Sequence, residues 1–210
     1  MRTLFITATG TNVGKTHTTL KLIDALASKG YKVGVFKPIE TGVKDVPLDA
    51  SLLLKACQKV NKNFQDLSPH DITAYTFSLP AAPFCADSNK EIVIQNIIDK
   101  HEALSKLCDI LLVEGAGGLL VPITKEYTMI NLMKELKAKV LLVTPSKLGC
   151  INDTLLSILA LRTFDIDFDW CINIYEDKDS FTKVTKPYYD EVFPQSWSVE
   201  EGLDRFLLSF

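Results

Sequence analysis

Short apolar runs alternate with amphipathic stretches along this chain, and each run is followed by a polar or glycine-containing segment. Thr3–Ala8, Tyr31–Lys37, Asp109–Val113, Lys139–Thr144 and Phe168–Ile174 have the length and apolar character of strands buried on both faces. Between them, Lys15–Ser28, Asp49–Val60, Glu91–Leu107 and Ile151–Phe164 carry apolar residues at helical spacing. Gly30 marks the stop of the first helix, and Pro38 is read as the end of the second strand. Residues 61–88 hold Pro69, Pro80 and Pro83 and read as loop-rich. The tail, 182–210, predicts helical pieces around Tyr188 and Leu203.

Strands alternating with helices imply right-handed βαβ units, hence an α/β fold with a mostly parallel central sheet between two helical layers. Ligands of such sheets sit beyond the carboxyl ends of the strands. That rim is where the unusual residues collect: 7–16 after the first strand, Lys37–Gly42 at the second, Glu114–Gly118 after the third, and Pro145–Cys150 after the fourth, with Asn173 closing the fifth.

Residues 7–16 read Thr-Ala-Thr-Gly-Thr-Asn-Val-Gly-Lys-Thr. A strand, a loop ending Gly14-Lys15-Thr16 and a helix make a phosphate-binding loop. Backbone N–H groups at a helix N-terminus attract anions, the lysine reaches the terminal phosphates, and the hydroxyl binds Mg²⁺. The usual G-x-x-x-x-G-K-[ST] pattern has glycine at the first position, which here is Thr9. A nucleoside triphosphate is the expected ligand. Asn12, Val13, Gly14, Lys15, Thr16 and His17 are its expected contacts, within a P-loop NTPase-like three-layer fold.

Composition narrows the class. The 210 residues suit a single domain spanning 1–210, and the 47% apolar content excludes a disordered chain. A net charge of −3 without Lys/Arg clusters argues against nucleic acid as partner. Five scattered cysteines without a C-x-x-C pair fit reduced thiols rather than disulfides or a zinc site. No apolar run has membrane-span length, and no leader is read at the start, so a cytoplasmic location is expected.

A Mg²⁺–triphosphate site needs hard oxygen ligands. Thr16 supplies one. Glu114, directly after four apolar residues, is a second candidate, or a strand-end carboxylate reaching solvent. Gly115, Ala116, Gly117 and Gly118 permit close backbone approach to a ligand, or make a plain turn. Spacing allows Asp49 as a third ligand or as a helix N-cap. Lys37 shares the rim with Lys15 and either neutralises charge during phosphoryl transfer or is a solvated strand-end lysine. The turn 147–152 precedes a helix whose N–H groups could hold a carboxylate; Cys150 within it reads as a small buried residue. His17, His70 and His101 lack metal-ligand spacing.

Taken together, these segments resemble the dethiobiotin synthetases. The resemblance rests on Gly14-Lys15-Thr16, Lys37-Pro38, Asp49-Ala50, Tyr75-Thr76-Phe77 with Pro80 and Pro83, Glu114–Gly118, Lys147–Asn152 and Asn173, in family order over 3–174. It implies ATP- and Mg²⁺-dependent closure of a ureido ring from 7,8-diaminononanoate and CO₂, through a carbamate and its phosphorylated anhydride. By that likeness Lys37 contacts the carbamate, Thr41 lies beside the diamine, and Thr11 is a second hydroxyl there. Thr16, Asp49 and Glu114 hold the metal, and Asn173 stands at an adenine-recognising position. The family is homodimeric with substrate between subunits. Gly149, Cys150, Ile151 and Asn152 would then come from the neighbouring chain.

This chain departs from the family in three places. Ala8 stands where the loop usually begins with glycine, Asn12 stands where an acid is frequent, and Val192–Ser198 shows no match to the proline-containing loop that contacts the base. Weak preference for ATP over other nucleotides is expected from the last. Two other readings share the sheet and loop. A partner-regulated ATPase switch carries a signature lysine five residues before the loop lysine, where this chain has Gly10. A cobyrinate-amidating relative would bring a glutamine-hydrolysing domain that this length cannot hold.

Overall fold

The computed structural model describes residues 2–175 and 177–208. Six strands form one sheet in the order β3-β2-β4-β1-β5-β6, and every pairing is parallel. They are β1 (Arg2–Ala8), β2 (Val33–Thr41), β3 (Thr73–Phe77), β4 (Ile110–Gly118), β5 (Lys139–Pro145) and β6 (Phe168–Asn173). The helices α1 (Lys15–Ser28), α2 (Leu48–Val60), α3 (Pro83–Ala86), α4 (Ile94–Ser105), α5 (Met129–Glu135) and α6 (Cys150–Thr163) connect them. After β6 come α7 (Lys178–Ser180), a π-helical turn (Phe181–Thr185), α8 (Lys186–Val192) and α9 (Leu203–Leu208). Residues 209–210 of the expected tail lie outside the described residues.

The central strands are buried on both faces, as their unbroken apolar runs demand: Leu4, Phe5, Ile6, Leu111, Leu112, Val113 and Val140–Val143 are fully enclosed. Helix α1 contributes Leu22, Ile23 and Leu26, and α2 contributes Leu53, Leu54 and Cys57. Behind β6, Trp170 meets Tyr189 and Phe193 edge-on at 5.3 Å, and Trp197 stacks on Phe206 at 5.2 Å. Helix α9 thereby packs against α1.

Two expectations fail. Pro38 does not end β2. The strand pairs with β4 over Val33–Phe36 and then continues beside β3, from Lys37↔Thr73 to Thr41↔Phe77. Lys37 N–H donates to Ile72 O at 2.9 Å. Backbone groups alternate sides along a strand, so the donor that proline lacks falls on the flank where the β4 ladder has already ended. The stretch 61–88 is also less irregular than its prolines suggest, for it contains β3 and α3. Helix α5 lay outside the sequence reading. It opens with a capping box in which Thr128 and Asn131 exchange side-chain and backbone bonds.

Candidate active site

The phosphate loop joins β1 to α1. Asn12 (φ +58°) and Gly14 (φ +100°) adopt left-handed backbone, whereas Gly10 does not use that freedom. Asparagine tolerates this region better than most residues. Left-handed residues at this spacing belong to the backbone pattern that gathers N–H groups into an anion-binding concavity. At Gly14 a side chain is doubly excluded, because a Cβ there would lie 1.9 Å from Asn173 Nδ2.

The loop is held from behind. Asn173 Nδ2 donates to Val13 O and Tyr175 Oη donates to Asn12 O, both at 2.9 Å. Lys15 Nζ donates to Gly10 O at 2.9 Å.

In front of the loop lies a network of buried charge. Lys37 Nζ donates to Glu114 Oε1 at 2.7 Å and to Asp49 Oδ2 at 2.9 Å. Thr16 Oγ1 donates to the same Glu114 oxygen at 2.9 Å and reaches Asp49 Oδ1 at 3.3 Å. Thr19 Oγ1 donates to Glu114 Oε2 at 2.9 Å. Glu114 is wholly enclosed and Lys37 nearly so. Neither the carboxylate nor the lysine is solvated, and neither ends its strand, for β2 runs on to Thr41 and β4 runs on through the glycines to Gly118.

The two lysines respond oppositely to this setting. Burial depresses the Lys15 ammonium to about 8, and the positive charge of Lys37 adds to the effect. Burial acts in the same direction on Lys37. There the charges of Glu114 and Asp49, with their hydrogen bonds, outweigh it and hold the pKa above its ordinary value. Desolvation raises Asp49, but Lys37, through charge and hydrogen bond, brings its carboxyl below the usual value.

Asp49 does not cap helix α2. Helix α2 begins after Pro47, which offers no side-chain cap. The N–H groups of Asp49 and Ala50 donate instead to the two carboxylate oxygens of Glu40, at 3.0 and 2.9 Å. Capping belongs to Glu40, and Asp49 is left to face Lys37 and Thr16.

These groups border a cleft of about 670 Å³. Its lining includes Thr11, Asn12, Gly14, Lys15, Thr16, Lys37, Thr41, Asp49, Gly115, Ala116 and Gly117, all singled out from sequence. Glu114 lies beneath this surface. The cleft also takes Ile39, Glu40, Pro80–Pro83 and Val121, which sequence reasoning missed as site residues, along with the supporting Thr19. His17 turns its ring to Glu200 at 3.0 Å. Gly149, Cys150, Ile151 and Asn152 do not line the cleft of their own chain. Cys150 is buried beside Tyr189, and Gly149 opens α6 in left-handed backbone.

Among the described residues no three His, Cys, Asp or Glu side chains form a metal cluster. Thr16, Asp49 and Glu114 are the groups that could hold a divalent cation. One hydroxyl and two carboxylates suit an ion such as Mg²⁺, which draws its other ligands from phosphate and water.

A family profile described as "AAA domain" matches residues 2–172. The ATP-dependent dethiobiotin synthetase BioD of Sulfurovum sp. (strain NBC37-1) is 66% identical over 209 residues, covering 100% of both chains. The chain belongs to this synthetase family. BioD of Wolinella succinogenes is 42% identical, with 91% of this chain and 89% of that protein aligned. Members of the synthetase family are ligases, and this chain is an enzyme of that class. Solved structures extend the fold alone. The Aquifex aeolicus MinC:MinD cell division complex gives a TM-score of 0.55 at 19% identity, covering 98% of this chain and 86% of that one. A Borrelia burgdorferi plasmid partition protein gives 0.59 at 11%, covering 100% and 99%.

Proposed function

We propose that this chain closes the ureido ring of dethiobiotin from 7,8-diaminononanoate, CO₂ and ATP, acting in biotin biosynthesis as a cytoplasmic enzyme of one domain. The observation that carries the reading is the Lys37 ammonium, clamped between Glu114 and Asp49 on a cleft that it shares with Lys15. One amine adds to CO₂ and loses a proton, giving a carbamate. A carbamate oxygen attacks the γ-phosphorus and ADP departs. The second amine, unprotonated, attacks the carbonyl carbon and expels phosphate, and a proton is lost as the ring closes.

The obstacle is repulsion between the anionic carbamate and the γ-phosphate. Two ammonium groups on one cleft offset it, and because Lys37 is already fixed by two carboxylates it needs no reorganisation as charge shifts. Mg²⁺, held by Thr16, Asp49 and Glu114, would neutralise phosphate charge and align the leaving group. Thr11 and Thr41 line the same cleft and would hydrogen-bond the diamine.

The same proposal makes the enzyme a homodimer. Helix α6 and the turn before it expose Leu148, Leu156 and Leu159. Such a face suits a second copy, whose Gly149–Asn152 turn would receive the substrate carboxylate. Incubation with diamine, bicarbonate and Mg–ATP tests the reading. Dethiobiotin and diamine-dependent phosphate release are expected. Phosphate release indifferent to the diamine would overturn it and favour a switch ATPase.

A further inference from the structure

Strand β2 grips Asp49 in two ways. Lys37 holds its carboxylate, and Glu40, three residues along, holds its backbone N–H and that of Ala50. Glu40 is buried, its two carboxylate oxygens are divided between the two donors, and Pro47 provides no local substitute. A carboxylate at this helix start also complements the helix dipole. Without Glu40 the first turn of α2 would carry two orphaned N–H groups beside the cleft.

We infer that Glu40 is a positioning residue for cation binding: it fixes the first turn of α2 so that the Asp49 carboxylate stands beside Thr16 and Glu114. The inference rests on the proposed role of Asp49 as a ligand of the divalent ion. Glu40 acts through the backbone of α2, so a cap supplied from elsewhere can replace it. Position 47 is the place for one. Pro47 sits at the N-cap with extended backbone (φ −66°, ψ 113°), and an N-cap side chain reaches the second and third N–H groups of a helix, here those of Asp49 and Ala50.

The experiment measures Mn²⁺ binding by electron paramagnetic resonance, with a non-hydrolysable ATP analogue present, alongside the Mg²⁺ concentration that half-saturates turnover. Removing the outer partner of a metal ligand weakens affinity about 10- to 100-fold, and Glu40→Ala is expected to do so. Glu40→Gln keeps one acceptor and should fall between the two; it also serves if the alanine variant does not fold. Glu40→Ala/Pro47→Asp is expected to restore Mn²⁺ affinity together with the melting temperature. Unchanged Mn²⁺ affinity in both single variants overturns the inference, as does a double variant that regains thermal stability without regaining affinity. Asp49→Asn separates the two readings. If that variant binds Mn²⁺ as the parent does, the ligand role of Asp49 fails. If it binds weakly while the Glu40 variants bind normally, the positioning role fails.

Discussion

The two halves of the sheet are built on different principles. The half containing β2, β4 and β1 delivers Lys37, Glu114 and the phosphate loop, and pairs buried charges through hydroxyls and carboxylates. The half containing β5 and β6 is held by aromatic packing around Trp170 and Tyr189, and presents an apolar α6 to the outside. Charge that is expensive to bury is concentrated where chemistry needs fixed dipoles. Where no charge must be held, the fold leaves Leu148, Leu156 and Leu159 exposed.

Changing Lys37 to methionine should produce the largest effect. Loss of a preorganised charge costs about 10²- to 10³-fold in kcat, and Glu114, left buried without its ammonium, costs about 3–5 kcal/mol of stability. Adding Glu114→Gln should recover stability, read by urea denaturation, but not turnover. Recovery of both would erase the distinction between the halves.

Leu156→Asp tests the other side. A charge driven into an apolar interface costs about 3 kcal/mol or more, at least about 100-fold in dissociation constant. Light scattering should find monomers, and the melting temperature should lose its dependence on protein concentration; the substitution itself costs the single chain little, because Leu156 is 59% exposed there. A parent chain that is itself monomeric would remove the assembly role from α6.

A smaller effect follows from the depressed Lys15. In the free enzyme this lysine loses its proton as pH rises through about 8, and a bound γ-phosphate restores it. Calorimetry in buffers of different ionisation enthalpy should therefore show little proton uptake at pH 7, rising toward about one proton per site above pH 8. The stability linkage has the same sign. The folded state binds fewer protons than the unfolded chain between about 8 and the ordinary 10.5, so Lys15 makes folding more favourable as pH rises through that window.

The smallest effect concerns the base. Asn173 has given one of its two amide N–H groups to Val13, leaving one donor and the carbonyl oxygen to meet a base. One hydrogen bond is worth about 1 kcal/mol, so kcat/KM for ATP should exceed that for GTP or CTP by less than about tenfold. A larger ratio would assign base recognition to residues beyond β6.

Much of the charged half was legible because a charged residue directly after an apolar run needs a reason, and Lys37 and Glu114 both stand there. Spacing left their alternatives open, since it does not record burial. Glu40 went unread because its partners are backbone N–H groups nine and ten positions away, which no side-chain pattern encodes. β3 was hidden by its half-buried sequence Thr-Ala-Tyr-Thr-Phe among prolines. Helix α5 had a legible signal in Thr128 and Asn131, but its seven residues are short for a periodicity.

The contact between Gly14 and Asn173 has an evolutionary corollary. One amide packs against the phosphate cradle and, on the proposed function, also faces the nucleoside, so the two could not be retuned separately. A bulkier residue at 173 would press on a backbone whose φ of +100° leaves glycine as the natural occupant. A change of nucleotide preference would therefore have to come from the residues after the sheet, leaving its last strand untouched.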